Sequence, residues 1–160
     1  MKTLFFILLI AAMVTGLWWI QERRTQAIKN LAASLGFHYL GPVLPKSLSI
    51  RDPWLNQMTS TRNVIDGERN GIRVVAFDCR IGEGKGSLLR TVVAAKADHN
   101  VFGSQTNHDL LRSITADDDD LSVSQSGDWI LLFRPKQSFE LKISGLMDID
   151  ALEMHINSIA

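Results

Sequence analysis

The stretch RNVIDGERNGIRVVAFDCRI, residues 62–81, determines the predicted fold, because a turn signal separates two strand-like runs. Asn70-Gly71 is the strongest short-range hairpin signal, since a type I′ turn needs positive φ at both central positions. Pairing across this turn predicts two opposite pairs, Glu68–Arg73 and Val64–Phe77. The centre of the chain is therefore predicted to be an antiparallel hairpin.

Alternation along the second strand of this hairpin divides its side chains between two faces. Asp78 and Arg80 fall on one face, while the apolar face carries Val75, Phe77, Cys79 and Ile81. Cys79 is predicted to be a small core residue, whose burial raises the thiol pKa and lowers its reactivity. It is the one cysteine in the sequence, so no internal disulfide can form.

The glycine-rich stretch Gly82–Ser87 follows the second strand and raises the question of a phosphate-binding loop. A Walker-type loop requires G-x-x-x-x-G-K-[ST] between a strand and a helix. Here Gly86 follows Gly84-Lys85, Cys79 stands where the first glycine belongs, and the next residues, LLRTVVAAK, are strand-like. We predict a hairpin tip, in which Gly84, Lys85 and Gly86 are candidate contacts for a partner. An anion near Lys85 is the alternative.

The remainder of the chain towards its end predicts more strands and a closing helix. LSVSQSGDWILLFRP, residues 121–135, is typical of a second hairpin, and SFELKIS, residues 138–144, alternates as a further strand. Asp150 and Glu153 fit a capping pair at the start of the closing helix, and His155 on that helix is predicted to be solvated. An apolar stripe supports this helix: Ile149, Leu152, Ile156 and Ile159.

Before the hairpin, RRTQAIKNLAASLGF, residues 23–37, predicts a helix that Gly36 ends. Arg23, Arg24 and Lys29 are placed on its polar side, and the apolar face comprises Ala27, Ile28, Leu31, Ala32 and Leu35. The segment from Gly41 to Pro53 is a connection. Trp54, which follows it, is predicted to cover a core edge and is a further candidate contact residue.

The first twenty residues, MKTLFFILLIAAMVTGLWWI, predict a membrane anchor. Thr3–Ile20 carries no charge, and as a helix it would span about 27 Å, close to the hydrocarbon thickness of a bilayer. Trp18 and Trp19 stand at its end, where aromatic rings favour the headgroup level. The alternative is a signal peptide that is cleaved after Gly16.

These patterns divide the chain into an anchor (1–21), a juxtamembrane helix (22–36) and a globular α+β domain (37–160). The domain is expected to hold five or six antiparallel strands and the closing amphipathic helix. One option is a partly closed sheet that resembles a pleckstrin-homology-like barrel. The basic residues after the anchor favour a single-pass inner-membrane protein with the domain in the cytoplasm.

Three stretches, LAASLGF, FDCRIGEGKGSLLRTVVA and DLSVSQSGDWILLFRP, resemble a loose group of bacterial membrane-anchored proteins of unknown function. In that group a helix with an L-A-x-x-L-G pattern precedes a hairpin with a G-x-G-K tip and a T-V-V strand. The resemblance covers most of Leu31–Pro135. It implies a shared fold and a tethered domain, and it supplies no catalytic residue.

Composition and motifs give little support for catalysis or for nucleic-acid binding. Lys+Arg and Asp+Glu both total 17, so the net charge is zero, whereas nucleic-acid binding depends on many cationic contacts. No H-E-x-x-H or G-x-S-x-G motif occurs. Asp117–Asp120 fails the EF-hand pattern, because Ser122 and Asp128 stand where glycine and glutamate are needed. No metal or cofactor is therefore predicted.

The sequence favours a membrane-tethered, non-catalytic domain that binds a protein or lipid surface. Its partners would be the bilayer itself and a possible membrane protein. Two alternatives stay open. One is an anchored hydrolase that uses His108 and Asp109, because the carboxylate could orient the imidazole. The other is a secreted domain released by signal-peptide cleavage.

Overall fold

A computed structural model of the chain describes residues 2–53, 55–84, 87–96, 121–133 and 146–159. Helix α1 covers Lys2–Leu35, and helix α2 covers Ile149–Ile159. The strands are β1 (His38–Gly41), β2 (Met58–Arg69), β3 (Ile72–Ile81), β4 (Leu88–Lys96), β5 (Ser122–Ser126) and β6 (Trp129–Phe133).

The described strands form one six-stranded sheet in the order β1-β2-β3-β4-β6-β5. Every neighbouring pair is antiparallel. The predicted α+β class is confirmed, and the sheet is open, with β1 and β5 at its edges, rather than closed into a barrel. The sequence did not indicate β1, which is only four residues long and pairs with β2.

The central hairpin confirms the predicted turn and part of the predicted register. Asn70 and Gly71 have φ values of 51° and 81°, and Glu68 lies opposite Arg73. The register then shifts between Ile65 and Arg62, so Asn63 and Val64 together face Phe77 across a β-bulge. Val64 therefore faces Phe77 as predicted, but it shares this position with Asn63 rather than forming a one-to-one pair.

Helix α1 runs without interruption from the apolar N-terminal residues into the domain, and it ends where the sequence predicted. Gly36 has a φ of 73°. Its N–H donates to the Ala33 carbonyl at 3.3 Å, and the Phe37 N–H donates to the Ala32 carbonyl at 2.7 Å. These two bonds form a Schellman motif, which satisfies carbonyls that the helix end leaves open. The chain then turns back into β1.

Both faces of the sheet are buried. The two helices cover one face through a shared apolar cluster that includes Ile28, Leu31, Ile65, Val74, Val93, Leu152 and Ile156. Residues 42–53 and 55–57 cover the other face, where Leu48 and Leu55 join Phe77 in a second cluster. The Trp129 Nε1–H donates to the Ser47 carbonyl at 3.2 Å and holds this segment to the sheet. The predicted connection is thus a covering layer.

The second hairpin and the closing helix are confirmed as β5, β6 and α2. The cap differs from the prediction, because Asp148 Oδ1 accepts the Ala151 N–H at 2.7 Å. Asp148 is therefore the N-cap residue rather than Asp150. His155 is 3% exposed, so the prediction that it is solvated is wrong. The predicted strand at 138–144 lies outside the described residues.

Candidate functional site

A buried ion pair joins helix α1 to the sheet. Arg24 Nε donates to Asp78 Oδ2 and Arg24 Nη2 donates to Asp78 Oδ1, both at 2.8 Å. Arg24 Nη1 donates to the Met147 carbonyl at 2.7 Å, and Nη2 also approaches Thr91 Oγ1 at 3.0 Å. One guanidinium thus connects α1 to β3, to β4 and to Met147, two residues before α2 begins. A bidentate pair of this kind also fixes orientation.

The Asp78 carboxylate is saturated with donors. Thr91 Oγ1 donates to Oδ1 at 2.7 Å, and Asn63 Nδ2 donates to Oδ2 at 2.9 Å. Each oxygen therefore accepts two hydrogen bonds, counting those from Arg24. Asp78 is 5% exposed, and a buried charge is tolerated when it is both paired and hydrogen-bonded in this way. We call Arg24, Asp78, Thr91 and Asn63 the clamp.

The β-bulge positions the fourth member of the clamp. Asn63 has a φ of 52°, a left-handed conformation that asparagine adopts more readily than most residues. Its Oδ1 accepts hydrogen bonds from Thr25 Oγ1 at 3.0 Å and from the Tyr39 hydroxyl at 3.2 Å. Burial raises the pKa of Tyr39, and the charges of Glu22 and Asp78 add to this effect. The Tyr39 hydroxyl therefore keeps its proton.

A cavity of about 160 Å³ opens beside the clamp, where α1 meets the sheet. Trp18, Gln21 and Glu22 line it from the helix, and Arg62 and Leu89 line it from the strands. Arg62 Nη1 donates to Gln21 Oε1 at 2.9 Å. The cavity therefore lies where the apolar run of α1 gives way to polar residues.

The strand directions place the tip of the β3–β4 hairpin at this same end of the domain. Arg62, in the first half of strand β2, donates a hydrogen bond to Gln21. Gly67, near the other end of β2, lies against the Phe37 ring. Because β3 is antiparallel to β2, its last residue, Ile81, lies at the Gln21 end. The described start of the predicted tip, residues 82–84, therefore leaves the sheet at this end of the domain.

Exposed arginines surround this end of the domain. Arg23 lies over the Trp19 ring, 3.7 Å from its centroid. Arg62 and Arg80 are exposed. In the described ranges, the salt bridges join Arg24 to Asp78 and Arg73 to Asp66, so neither Arg62 nor Arg80 is paired with a described carboxylate.

The structure locates one of the four contact residues predicted from the sequence. Gly84 is exposed in the β3–β4 connection with a φ of 63°. Its carbonyl accepts the Ser87 N–H at 3.2 Å, which is consistent with the predicted hairpin tip. Lys85, Gly86 and Trp54 lie outside the described residues.

The predicted catalytic alternative, His108 with Asp109, also falls outside the described ranges, as does the acidic run Asp117–Asp120. Among the residues that are described, no group of three or more His, Cys, Asp or Glu side chains could hold a metal ion.

The clamp is the feature that the sequence interpretation missed. Alternation placed Asp78 on the correct face, opposite Phe77, but did not show that a helix covers this face. Arg24 was placed on the polar side of its helix, whereas it lies on the packed side. A signal was available, because Thr91 lies opposite Asp78 on a face of β4 that otherwise carries Leu89, Val93 and Ala95.

Cys79 lies on the other face of β3 and is 2% exposed. Burial raises the pKa of its thiol to about 12, and the charge of Asp78 adds to the rise. We expect no reaction of the folded protein with the thiol reagent DTNB at pH 8.5, followed by monitoring absorbance. In guanidinium chloride, where the thiol pKa returns to about 9.0, labelling should be complete, because thiolate is the reactive form. Rapid labelling of the folded chain would contradict a buried Cys79.

Comparison with protein-family models, with curated proteins and with solved structures found no match. The resemblance to bacterial membrane-anchored proteins therefore stays a prediction.

Proposed function

We propose that the chain is a non-catalytic domain that α1 tethers to a membrane, and that it binds a protein or lipid surface beside that membrane. The observation that carries this proposal is the continuity of α1. One helix includes both the exposed apolar residues and the segment that the clamp fixes to the sheet.

The N-terminal half of α1 has the composition and exposure expected of a membrane span. It is long and apolar enough to cross a bilayer. Phe5 is 69% exposed, Met13 61% and Trp18 64%. A contiguous apolar surface of this size is unusual in a soluble domain and is typical of a membrane or protein contact.

The clamp supports a tether that holds the domain in a fixed orientation. Arg24 lies four residues beyond Ile20, the last residue of the apolar run, which corresponds to about 6 Å along a helix. The sheet is therefore attached directly next to the proposed bilayer surface. Confinement to that layer raises the effective concentration of the domain towards membrane partners.

The chemistry of the described residues supports a binding role rather than catalysis. Asp78 has no free acceptor position for a proton or a metal, because both oxygens already accept two hydrogen bonds. The Cys79 thiol is buried and protonated. We further propose that the domain faces the cytoplasm from the inner membrane, since Arg23, Arg24 and Lys29 follow the span and Lys2 precedes it.

Carbonate extraction of isolated membranes tests the anchor. We expect the full-length chain to stay in the membrane pellet and to retain residues 1–16 by mass spectrometry. The variant Leu9→Arg/Val14→Arg should shift to the soluble or degraded fraction, because each arginine near the centre of a span costs about 2.5–3.5 kcal/mol. In sealed spheroplasts, added protease should leave the domain intact.

The matched control is Val43→Arg/Met154→Arg, which places the same charges at exposed apolar positions of the domain. Val43 is 64% and Met154 55% exposed, similar to Leu9 and Val14, so exposure alone cannot explain a difference. This control should stay in the pellet. A wild-type chain that carbonate releases, or that lacks residues 1–16, would show a cleaved signal peptide and refute the anchor.

A further inference from the structure

We propose that the cavity between α1 and the sheet binds the phosphoethanolamine headgroup of a membrane phospholipid. In this arrangement Arg62 holds the phosphate and Glu22 holds the ammonium group. The inference rests on the proposed function, because the lipid is supplied by the bilayer that α1 is proposed to span. It adds a defined ligand chemistry to that function.

The position of the cavity matches the level of lipid headgroups. Gln21, the first polar residue after the apolar run, lines it together with Trp18. Tryptophan rings favour the interface between hydrocarbon and water. Its volume of about 160 Å³ is similar to that of cavities that hold a small ring compound such as benzene. The cavity can therefore receive a headgroup, while the acyl chains stay in the bilayer.

The charges that line the cavity match a zwitterion. Among the described residues, four charged side chains line it: Glu22, Arg24, Arg62 and Asp78. Arg24 and Asp78 neutralise each other within the clamp. One cation, Arg62, and one anion, Glu22, are left, and these two form no salt bridge with each other. A ligand with one negative and one positive group complements them.

Both side chains keep hydrogen-bonding capacity for such a ligand. The guanidinium of Arg62 has five N–H donors. Among the described residues, the acceptor for this group is Gln21 Oε1. From the described residues, the Glu22 carboxylate accepts a hydrogen bond from Gln26 Nε2 to Oε1 at 3.1 Å. Phosphate is a strong partner for arginine. A primary ammonium can donate to a carboxylate, whereas the quaternary ammonium of phosphatidylcholine has no N–H.

Native mass spectrometry of the full chain in detergent, titrated with single phospholipids, tests the headgroup. We expect phosphatidylethanolamine to bind about tenfold more tightly than phosphatidylcholine or phosphatidylglycerol, as expected for a charge-assisted hydrogen bond. Arg62→Gln should weaken phosphatidylethanolamine binding about tenfold. Glu22→Gln should abolish the preference and leave phosphatidylglycerol binding unchanged or tighter. A purely structural role for Glu22 would not produce this change in selectivity.

Matched controls come from the far end of strand β2. Arg69→Gln and Glu68→Gln make the same charge changes roughly 20 Å away, at about 3.3 Å per strand residue. Both should bind phosphatidylethanolamine like the wild type. Equal losses at the two ends of the strand would show a general charge effect and overturn the site.

Further measurements distinguish a bilayer lipid from soluble phosphoethanolamine, and the headgroup site from the membrane anchor. Soluble phosphoethanolamine at millimolar concentration should not displace the lipid, and displacement at that concentration would overturn the choice of a lipid. An anchored chain that binds all three phospholipids equally overturns the headgroup site and leaves the anchor intact. A chain that carbonate washes from membranes overturns both proposals.

Discussion

Replacement of Asp78 by alanine should lower the free energy of unfolding by about 3–5 kcal/mol, the usual cost of breaking a buried ion pair from one side. The substitution leaves Arg24 without its carboxylate and removes acceptors from Thr91 and Asn63. Since small domains are stable by about 5–15 kcal/mol, the loss is a large part of the total. Urea unfolding in detergent, followed by tryptophan fluorescence, measures it.

Asp66→Ala is the matched control for this substitution. Asp66 pairs with Arg73 at 2.7 Å, but the Arg73 side chain is 38% exposed, against 18% for Arg24. Exposed pairs contribute about 0–1 kcal/mol, so this variant should unfold near the wild-type midpoint. Equal destabilisation by the two substitutions would contradict the central role of the clamp.

A double substitution separates two effects of Asp78→Ala: the loss of attraction between Arg24 and Asp78, and the cost of leaving the Arg24 charge unpaired. Arg24→Met/Asp78→Leu removes both charges, so it should recover part of the stability that Asp78→Ala loses. Recovery should be incomplete, because Asn63 and Thr91 also lose a partner.

The second large effect is expected at Gly67, where β2 passes beneath the ring of Phe37. A Cβ at this position would lie 2.1 Å from Phe37 Cδ1 and 2.3 Å from Cγ. Gly67→Ala must therefore displace a buried ring, and overpacking of this kind costs about 1–3 kcal/mol. We expect the upper end of that range, measured by the same urea unfolding experiment.

A double-mutant cycle with Phe37→Ala provides the control. Phe37 is 6% exposed, so Phe37→Ala alone should destabilise the domain by creating space. In that background Gly67→Ala should cost little, because the atoms with which its Cβ collides are absent. Additive losses in the double variant would show that Gly67 matters for backbone conformation rather than for ring packing.

Features that depend on neighbouring residues were predictable from the sequence. Asn70-Gly71 and Gly36 are required by positive φ values of the backbone, which favour these residue types. The Glu68–Arg73 pair follows from the turn by counting. The predicted strand register is lost where the bulge at Asn63 adds a residue to β2, since no local pattern specified that insertion.

Apart from the polar residue Thr91 on an apolar strand face, the clamp left no signal in the sequence, because its members meet only in the folded chain. Arg24 and Asp78 are 54 residues apart. Alternation along β3 placed Asp78 on the polar face, but no pattern within that strand indicates that α1 covers this face. His155 shows the same limit, because a polar residue on the packed face of α2 was taken to be exposed.

The continuity of helix α1 also has a mechanical consequence. From Leu17 to Leu35 the sequence contains neither glycine nor proline, the residues at which sharp kinks most often arise. This part of the helix therefore acts as a stiff lever about 27 Å long. A tilt of about 10° at Leu17 would displace its far end by about 5 Å. In the proposed membrane arrangement, changes in bilayer thickness, which alter the tilt of membrane spans, would thus move the whole sheet as one body.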